Sequence, residues 1–139
     1  MVMEKEFPKA IASLQEVFSF LDGFLDEHRV GPGVSFALTL AVEEFFTNMV
    51  KYDSPNSAVI TVGLERQDDR LIVHLTDHDV DRFDVTKAGE VNTNEPIERR
   101  KAGGLGIHIA KRMVDSLSYD YSGRTSRITL VKKLESPNV

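Results

Sequence analysis

Cysteine is absent from the 139 residues, which excludes disulfide bonds and metal sites built on thiolates. Its absence also fits a reducing compartment. No apolar run approaches the length that spans a bilayer, and the N-terminal stretch MVMEKEFPKA lacks the apolar segment of a secretory signal. We therefore expect a cytoplasmic protein that is not embedded in a membrane.

Basic residues are also in short supply, since 17 Lys and Arg face 22 Asp and Glu, for a formal net charge of −5. Without a basic surplus the chain has little to neutralise a phosphate backbone, so direct nucleic-acid binding is not expected. The apolar content of 41% and the charged content of 28% are ordinary for globular proteins. The length fits a single domain over residues 1–139.

Two amphipathic segments in the first half of the chain predict helices. The first, over residues 9–28, carries apolar side chains at three- and four-residue steps, at Ile11, Leu14, Phe18, Leu21 and Leu25. Gly31-Pro32-Gly33 ends it, and Pro32 suits the first turn of a second helix that runs to about Tyr52. The apolar face of that second helix is formed by Leu38, Ala41, Val42, Phe45 and Met49.

Alternating apolar residues predict two β-hairpins. The first joins residues 58–65 to 71–77, and the second joins 118–121 to 127–134. A third helix is expected between them, from the glycines at 103–106 to about Leu117, and a frayed tail from about residue 135. Segregated helices and hairpins favour an α+β two-layer sandwich, with the helices on one face of a mixed, mostly antiparallel sheet.

Two sites in this pattern indicate phosphate chemistry. The run GGLGI at 103–107 comes directly before an apolar-periodic segment, and glycines at a helix N-terminus let backbone N–H groups approach an anion. Upstream, Glu44 and Asn48 lie four residues apart, which places a carboxylate and an amide on one helix face. Taken alone, the first could be a plain helix start and the second a solvated pair. Together they predict a nucleotide site between two helices.

Three segments in order resemble the motifs of GHKL-type ATP-binding domains. LAVEEFFTNMVKY (40–52) is similar to their N-box, HLTDHDVDRFD (74–84) to their first glycine box, and GGLGIHIAKRMVD (103–115) to their second. Within that superfamily the chain most resembles the anti-sigma factor serine/threonine kinases. The resemblance implies the Bergerat-type ATP-binding fold, with ATP and Mg²⁺ as cofactors.

The resemblance also implies roles for individual residues. Glu44 would be the general base toward the attacking hydroxyl, and Asn48 would bind both the nucleotide and its Mg²⁺. Asp77 would accept a hydrogen bond from the amino group of adenine. The phosphates would be cradled by the backbone of Gly103, Gly104, Leu105 and Gly106.

Further contacts follow from the same resemblance. Lys51 and the basic run Arg99, Arg100 and Lys101 would contact the phosphates, and Thr129 would touch the adenine pocket. Residues 85–102 would form a lid. The implied activity is phosphorylation of a STAS-type anti-sigma antagonist, with an RNA polymerase sigma factor as second partner and a homodimer as the assembly.

The first glycine box departs from the family pattern, since Asp79 stands where Asp-x-Gly has glycine, and Asp81 follows. A carboxylate there adds negative charge beside an anionic ligand. This departure motivates an alternative function, in which a catalytically weak or inactive domain of the same fold sequesters a sigma factor or another regulator.

Overall fold

Helices cover one face of an antiparallel sheet in the protein, whose computed structural model describes residues 2–51, 58–80 and 104–134. The strands are β1 (Val2–Pro8), β2 (Val59–Gln67), β3 (Arg70–His78), β4 (Ser116–Ser122) and β5 (Thr125–Lys133). The helices are α1 (Leu14–Glu27), α2 (Pro32–Lys51) and α3 (Gly104–Met113), and a 3-10 turn (Ile11–Ser13) precedes α1.

The strand order is β1-β2-β3-β5-β4. Every pair of neighbours in this order is antiparallel, so the sheet is antiparallel rather than mixed in the part of the chain that is described. The predicted α+β two-layer architecture is confirmed. The two predicted hairpins correspond to β2–β3 and β4–β5.

One core lies between the sheet and the helices. Alternate residues of the central strands point into it, including Ile60, Val62, Leu64, Leu71, Val73, Leu75, Ile128 and Leu130. The predicted apolar face of α2 is confirmed, because all five of its residues are buried. The predicted face of α1 is right only in part. Leu21 and Leu25 are buried, but Ile11 is 50% exposed because it lies in the 3-10 turn, ahead of the α-helical period.

Strand β1 is not predicted by the sequence pattern. Its residues pair with β2 from Val2 opposite Glu65 to Pro8 opposite Val59, yet only Phe7 among them is buried. Because β1 is an edge strand with a polar sequence, its apolar alternation is too weak to predict a strand. The predicted end of the third helix, at about Leu117, is also wrong, since α3 ends at Met113 and β4 begins at Ser116.

Several expectations fall outside the described residues. These are the lid at 85–102 with its basic run, Gly103, and the tail from about 135. Among the helices that are described, none is both long enough and apolar enough to cross a membrane.

Candidate functional site

The carboxyl group of Glu44 lies against the first turn of α3, at Gly106. A Cβ atom at position 106 would lie only 2.6 Å from Cδ of Glu44 and 2.9 Å from its Oε1, closer than side-chain atoms pack. Any residue other than glycine would therefore displace the carboxylate. The two predicted halves of the site, on α2 and at the start of α3, are thus in direct contact.

The surroundings of Glu44 raise its pKa above the ordinary value of 4.5. Partial burial is the largest cause, and the neighbouring charge of Glu43 adds to it, while Lys51 opposes it. A carboxylate with a raised pKa is a better proton acceptor at neutral pH than an ordinary one. The ammonium of Lys51, near the end of α2, therefore acts electrostatically on the predicted base.

Asn48 lies one helical turn after Glu44 and is buried, with 8% of its surface exposed. The i, i+4 spacing places its amide on the same face of α2 as the carboxylate of Glu44. The described residues hold no group of three His, Asp or Glu side chains that could bind a metal ion. An amide oxygen can still serve as the protein ligand of a Mg²⁺ whose other ligands are phosphate oxygens and waters.

Asp77 lies near the end of the central strand β3, on the face that carries the helices. It follows Val73 and Leu75 in the strand's alternation, and it faces Ser126 of β5. Its carboxylate is in an ion pair with Lys9, whose Nζ lies 2.8 Å from Oδ2. The two side chains are 1% and 6% exposed, for Lys9 and Asp77 respectively.

The structure does not bring Thr129 to this site. Thr129 alternates with the buried Ile128 and Leu130, so its side chain lies on the opposite face of the sheet from Asp77. There its Oγ1 is hydrogen-bonded to Nδ1 of His74, at 3.0 Å. The adenine contact predicted for Thr129 is therefore wrong in this structure, because a strand alternates its side chains between the two faces.

Two residues that the sequence reasoning missed lie beside Asp77. Ser126 is 7% exposed and sits opposite Asp77 in the strand register, which only the β3–β5 pairing reveals. Lys9 comes from the segment between β1 and the 3-10 turn. A single lysine in a polar stretch carries no signal of burial, so one sequence could not identify it.

The loop after β3 has a glycine-like backbone at Asp79. Its φ of 56° lies in the left-handed region that glycine favours. Nε of Arg124 donates to Oδ1 of Asp79 at 2.8 Å, and the Tyr121 hydroxyl donates to the carbonyl of Val80, also at 2.8 Å. The departure from Asp-x-Gly therefore keeps the turn, and its added charge is paired with Arg124.

The sequence of this chain matches one known protein family. The profile of the histidine kinase-like ATPase domain family matches residues 7–132, which is most of the chain. The chain belongs to this family. The predicted assignment of the chain to the GHKL-type ATP-binding domains is thereby confirmed.

Curated relatives point to one branch of the family. The serine-protein kinase RsbW of Staphylococcus aureus strain MSSA476 is 31% identical over 104 residues, which cover 69% of this chain and 65% of the relative. RsbW of Staphylococcus epidermidis is 34% identical over 107 residues, covering 71% of this chain and 67% of the relative. The aligned part of this ATPase-like domain thus spans about two thirds of the length of those kinases.

Solved structures confirm the fold. The RsbU and RsbW domains of a Mycobacterium tuberculosis protein superpose with a TM-score of 0.71 at 15% identity, covering 99% of this chain and 33% of the other. The SiaB–SiaC complex from Pseudomonas aeruginosa gives a TM-score of 0.63 at 18% identity, covering 94% and 87%. At such identities the likeness shows the fold of this ATPase-like domain.

Proposed function

We propose that this protein is an ATP-dependent serine/threonine kinase that acts in anti-sigma regulation. The observation that carries the proposal is the contact between the Glu44 carboxyl group and Gly106 in the first turn of α3. The contact supports the proposal because a carboxyl group that could accept a proton lies beside a helix N-terminus, where phosphate oxygens are favoured. The similarity to kinases named RsbW supports the same function.

The residues that are described fit a nucleotide. ATP would supply the phosphoryl group, and Mg²⁺ would neutralise the negative charge of the phosphates. Asn48 would hold the metal through its amide oxygen, and the backbone of α3 at Gly104, Leu105 and Gly106 would donate hydrogen bonds to the phosphates. Glu44 accepts the proton of the attacking serine or threonine hydroxyl, and Asp77 accepts a hydrogen bond from the base.

The proposed anti-sigma function involves two protein partners. The phosphorylated protein is a STAS-type anti-sigma antagonist, and the second partner is an RNA polymerase sigma factor held inactive by binding. The active assembly is a homodimer in the cytoplasm. Lys51, near the end of α2, adds positive charge beside the phosphates.

The first experiment measures thermal unfolding of the purified chain with and without Mg-ATP. A ligand at about 100 times its Kd stabilises the native state by about 2.7 kcal/mol, which corresponds to a rise in Tm of roughly 10 °C. Transfer of labelled γ-phosphate to a STAS-type antagonist from the same genome then tests the catalytic step. No change in Tm up to millimolar Mg-ATP would refute the kinase proposal.

Variants separate binding from catalysis. Glu44→Gln should keep the Mg-ATP stabilisation and lower phosphate transfer by about 100-fold or more, because it removes the general base. Asn48→Ala should lose the Mg-dependent stabilisation as well. Glu16→Gln, the same chemical change at an exposed position of α1, is the control and should leave both readouts unchanged. Wild-type transfer by Glu44→Gln would refute the role of Glu44.

A second candidate function is sequestration of a sigma factor without catalysis. The Lys9–Asp77 ion pair favours it, because the carboxylate predicted to bind adenine already has a cationic partner. Stable binding of a sigma factor together with no Mg-ATP effect would select this function over the kinase.

A further inference from the structure

Lys9 is held firmly at the point where it meets Asp77. Its backbone N–H donates to the carbonyl of Ala58 at 3.0 Å, next to the start of β2. The hydroxyl of Ser13 donates to the carbonyl of Pro8 at 2.7 Å, which ties the same segment to the 3-10 turn. The backbone at residue 9 is therefore fixed, and its side chain extends into the protein.

A buried lysine is unusual, because removing an ammonium from water is costly unless it is paired. The side chain of Lys9 is 1% exposed and its Nζ bonds Asp77 at 2.8 Å, which is the length of a charge-assisted hydrogen bond. The carboxylate of Asp77, 6% exposed, is thus largely shielded from any ligand. A base can reach it only after a group that covers it moves.

We propose that Lys9 is an internal competitor for the nucleotide base and sets the affinity of this site for ATP. The inference rests on the proposed function, in which Asp77 receives the amino group of adenine. An ammonium is a stronger donor to a carboxylate than a neutral amino group. Base binding must therefore overcome the Lys9–Asp77 bond, and the lysine lowers affinity through the base while leaving the phosphate contacts untouched.

The test compares Lys9→Met with the wild-type chain by isothermal titration. Two probes are used, Mg-ATP and Mg-bound inorganic triphosphate, which has phosphates and no base. We expect Lys9→Met to bind Mg-ATP at least about tenfold more tightly and to bind triphosphate with unchanged affinity. Lys5→Met is the matched control, because Lys5 is an exposed residue of β1 whose Nζ lies 5.4 Å from the centroid of the Phe7 ring.

Lys9→Met removes the cation that pairs with the buried carboxylate of Asp77. In the absence of ligand, this variant should therefore be less stable than the wild type. Lys9→Gln provides a second variant, since it removes the charge and keeps a neutral donor. Circular dichroism establishes that each variant is folded before titration. We expect Lys9→Gln also to bind Mg-ATP more tightly than the wild type, by a smaller factor.

The outcomes separate this inference from the proposed function. If the wild type binds Mg-ATP and both folded Lys9 variants bind it equally or more weakly, the competitor role is refuted and the kinase proposal stands. The competitor role is also refuted if the Lys9 variants gain as much affinity for triphosphate as for Mg-ATP. If only the Lys9 variants bind Mg-ATP, the competitor role is supported and catalysis by the wild type is refuted. If no variant binds, both proposals fail.

Discussion

The geometry of Glu44 depends on the absence of a single side chain. Gly106 lacks a Cβ, and this gap lets the carboxyl group of Glu44 lie against α3. Partial burial and the charge of Glu43 then raise the pKa of Glu44, although Lys51 opposes the rise. The protonation state of the proposed base therefore depends on its burial and on the charges of Glu43 and Lys51.

The raised pKa of Glu44 predicts a pH-dependent difference in stability between the wild type and Glu44→Gln. Below about pH 4.5, the ordinary value, Glu44 is protonated in both the folded and unfolded states. As the pH rises from there through the raised pKa, the unfolded state loses its proton first. The free energy of unfolding of the wild type should therefore fall relative to that of Glu44→Gln across this window, and should stay level above it.

Urea unfolding at a series of pH values measures this difference. Glu16→Gln, exposed on α1, controls for the loss of one carboxylate. A wild type that gains stability relative to Glu44→Gln as the pH rises would mean that the folded protein favours the charged form, contrary to the raised pKa.

Among the elements, the loop after β3 and the β4–β5 turn stabilise each other. Asp79 and Arg124 both have positive φ, of 56° and 62°, and they form an ion pair. The N–H of Val80 also donates to the carbonyl of Arg124 at 2.9 Å. The first glycine box therefore keeps its turn through a partner on another hairpin, which the box sequence does not reveal.

This arrangement predicts opposite orders of stability at two aspartates. Both Asp79→Ala and Asp79→Gly lose the ion pair, but alanine also keeps a Cβ at positive φ, so it should be less stable than the glycine variant by about 1 kcal/mol. Asp120, in the regular strand β4, is the control, and there the glycine variant should be the less stable one. Chemical denaturation measures all four variants. Equal stability of Asp79→Ala and Asp79→Gly would refute backbone strain at residue 79.

At the scale of the whole molecule, β1 joins the sheet to the helical layer. Phe7 is 1% exposed and belongs to the main core cluster. Its ring packs against Phe20 of α1, with centroids 5.8 Å apart. An edge strand with one buried residue thus connects both layers, and it leads directly into Lys9.

Truncation of this one ring should lower the stability of the entire protein. Phe7→Ala should reduce the free energy of unfolding by about 3–5 kcal/mol, because a fully buried aromatic side chain is lost and a cavity remains. Val2→Ala, on the same strand with Val2 42% exposed, should change it by less than about 0.5 kcal/mol. Urea unfolding measures both, and similar small effects would show that β1 lies outside the cooperative core.

The sequence by itself determined the α+β class, the α2 face and the pairing of two hairpins. These features depend on local periodicity, which a chain carries whatever its partners are. The same periodicity placed Glu44 and Asn48 on one face of α2, and the glycine run placed the start of α3.

Only the tertiary structure decided what meets across that framework. It added β1, placed Thr129 on the far face of the sheet, and brought Lys9 to Asp77 and Arg124 to Asp79. Each of these results depends on strand register or on contacts between residues distant in sequence. Such contacts are fixed by packing and by the pairing of buried charges, and they leave no periodic signal in the chain.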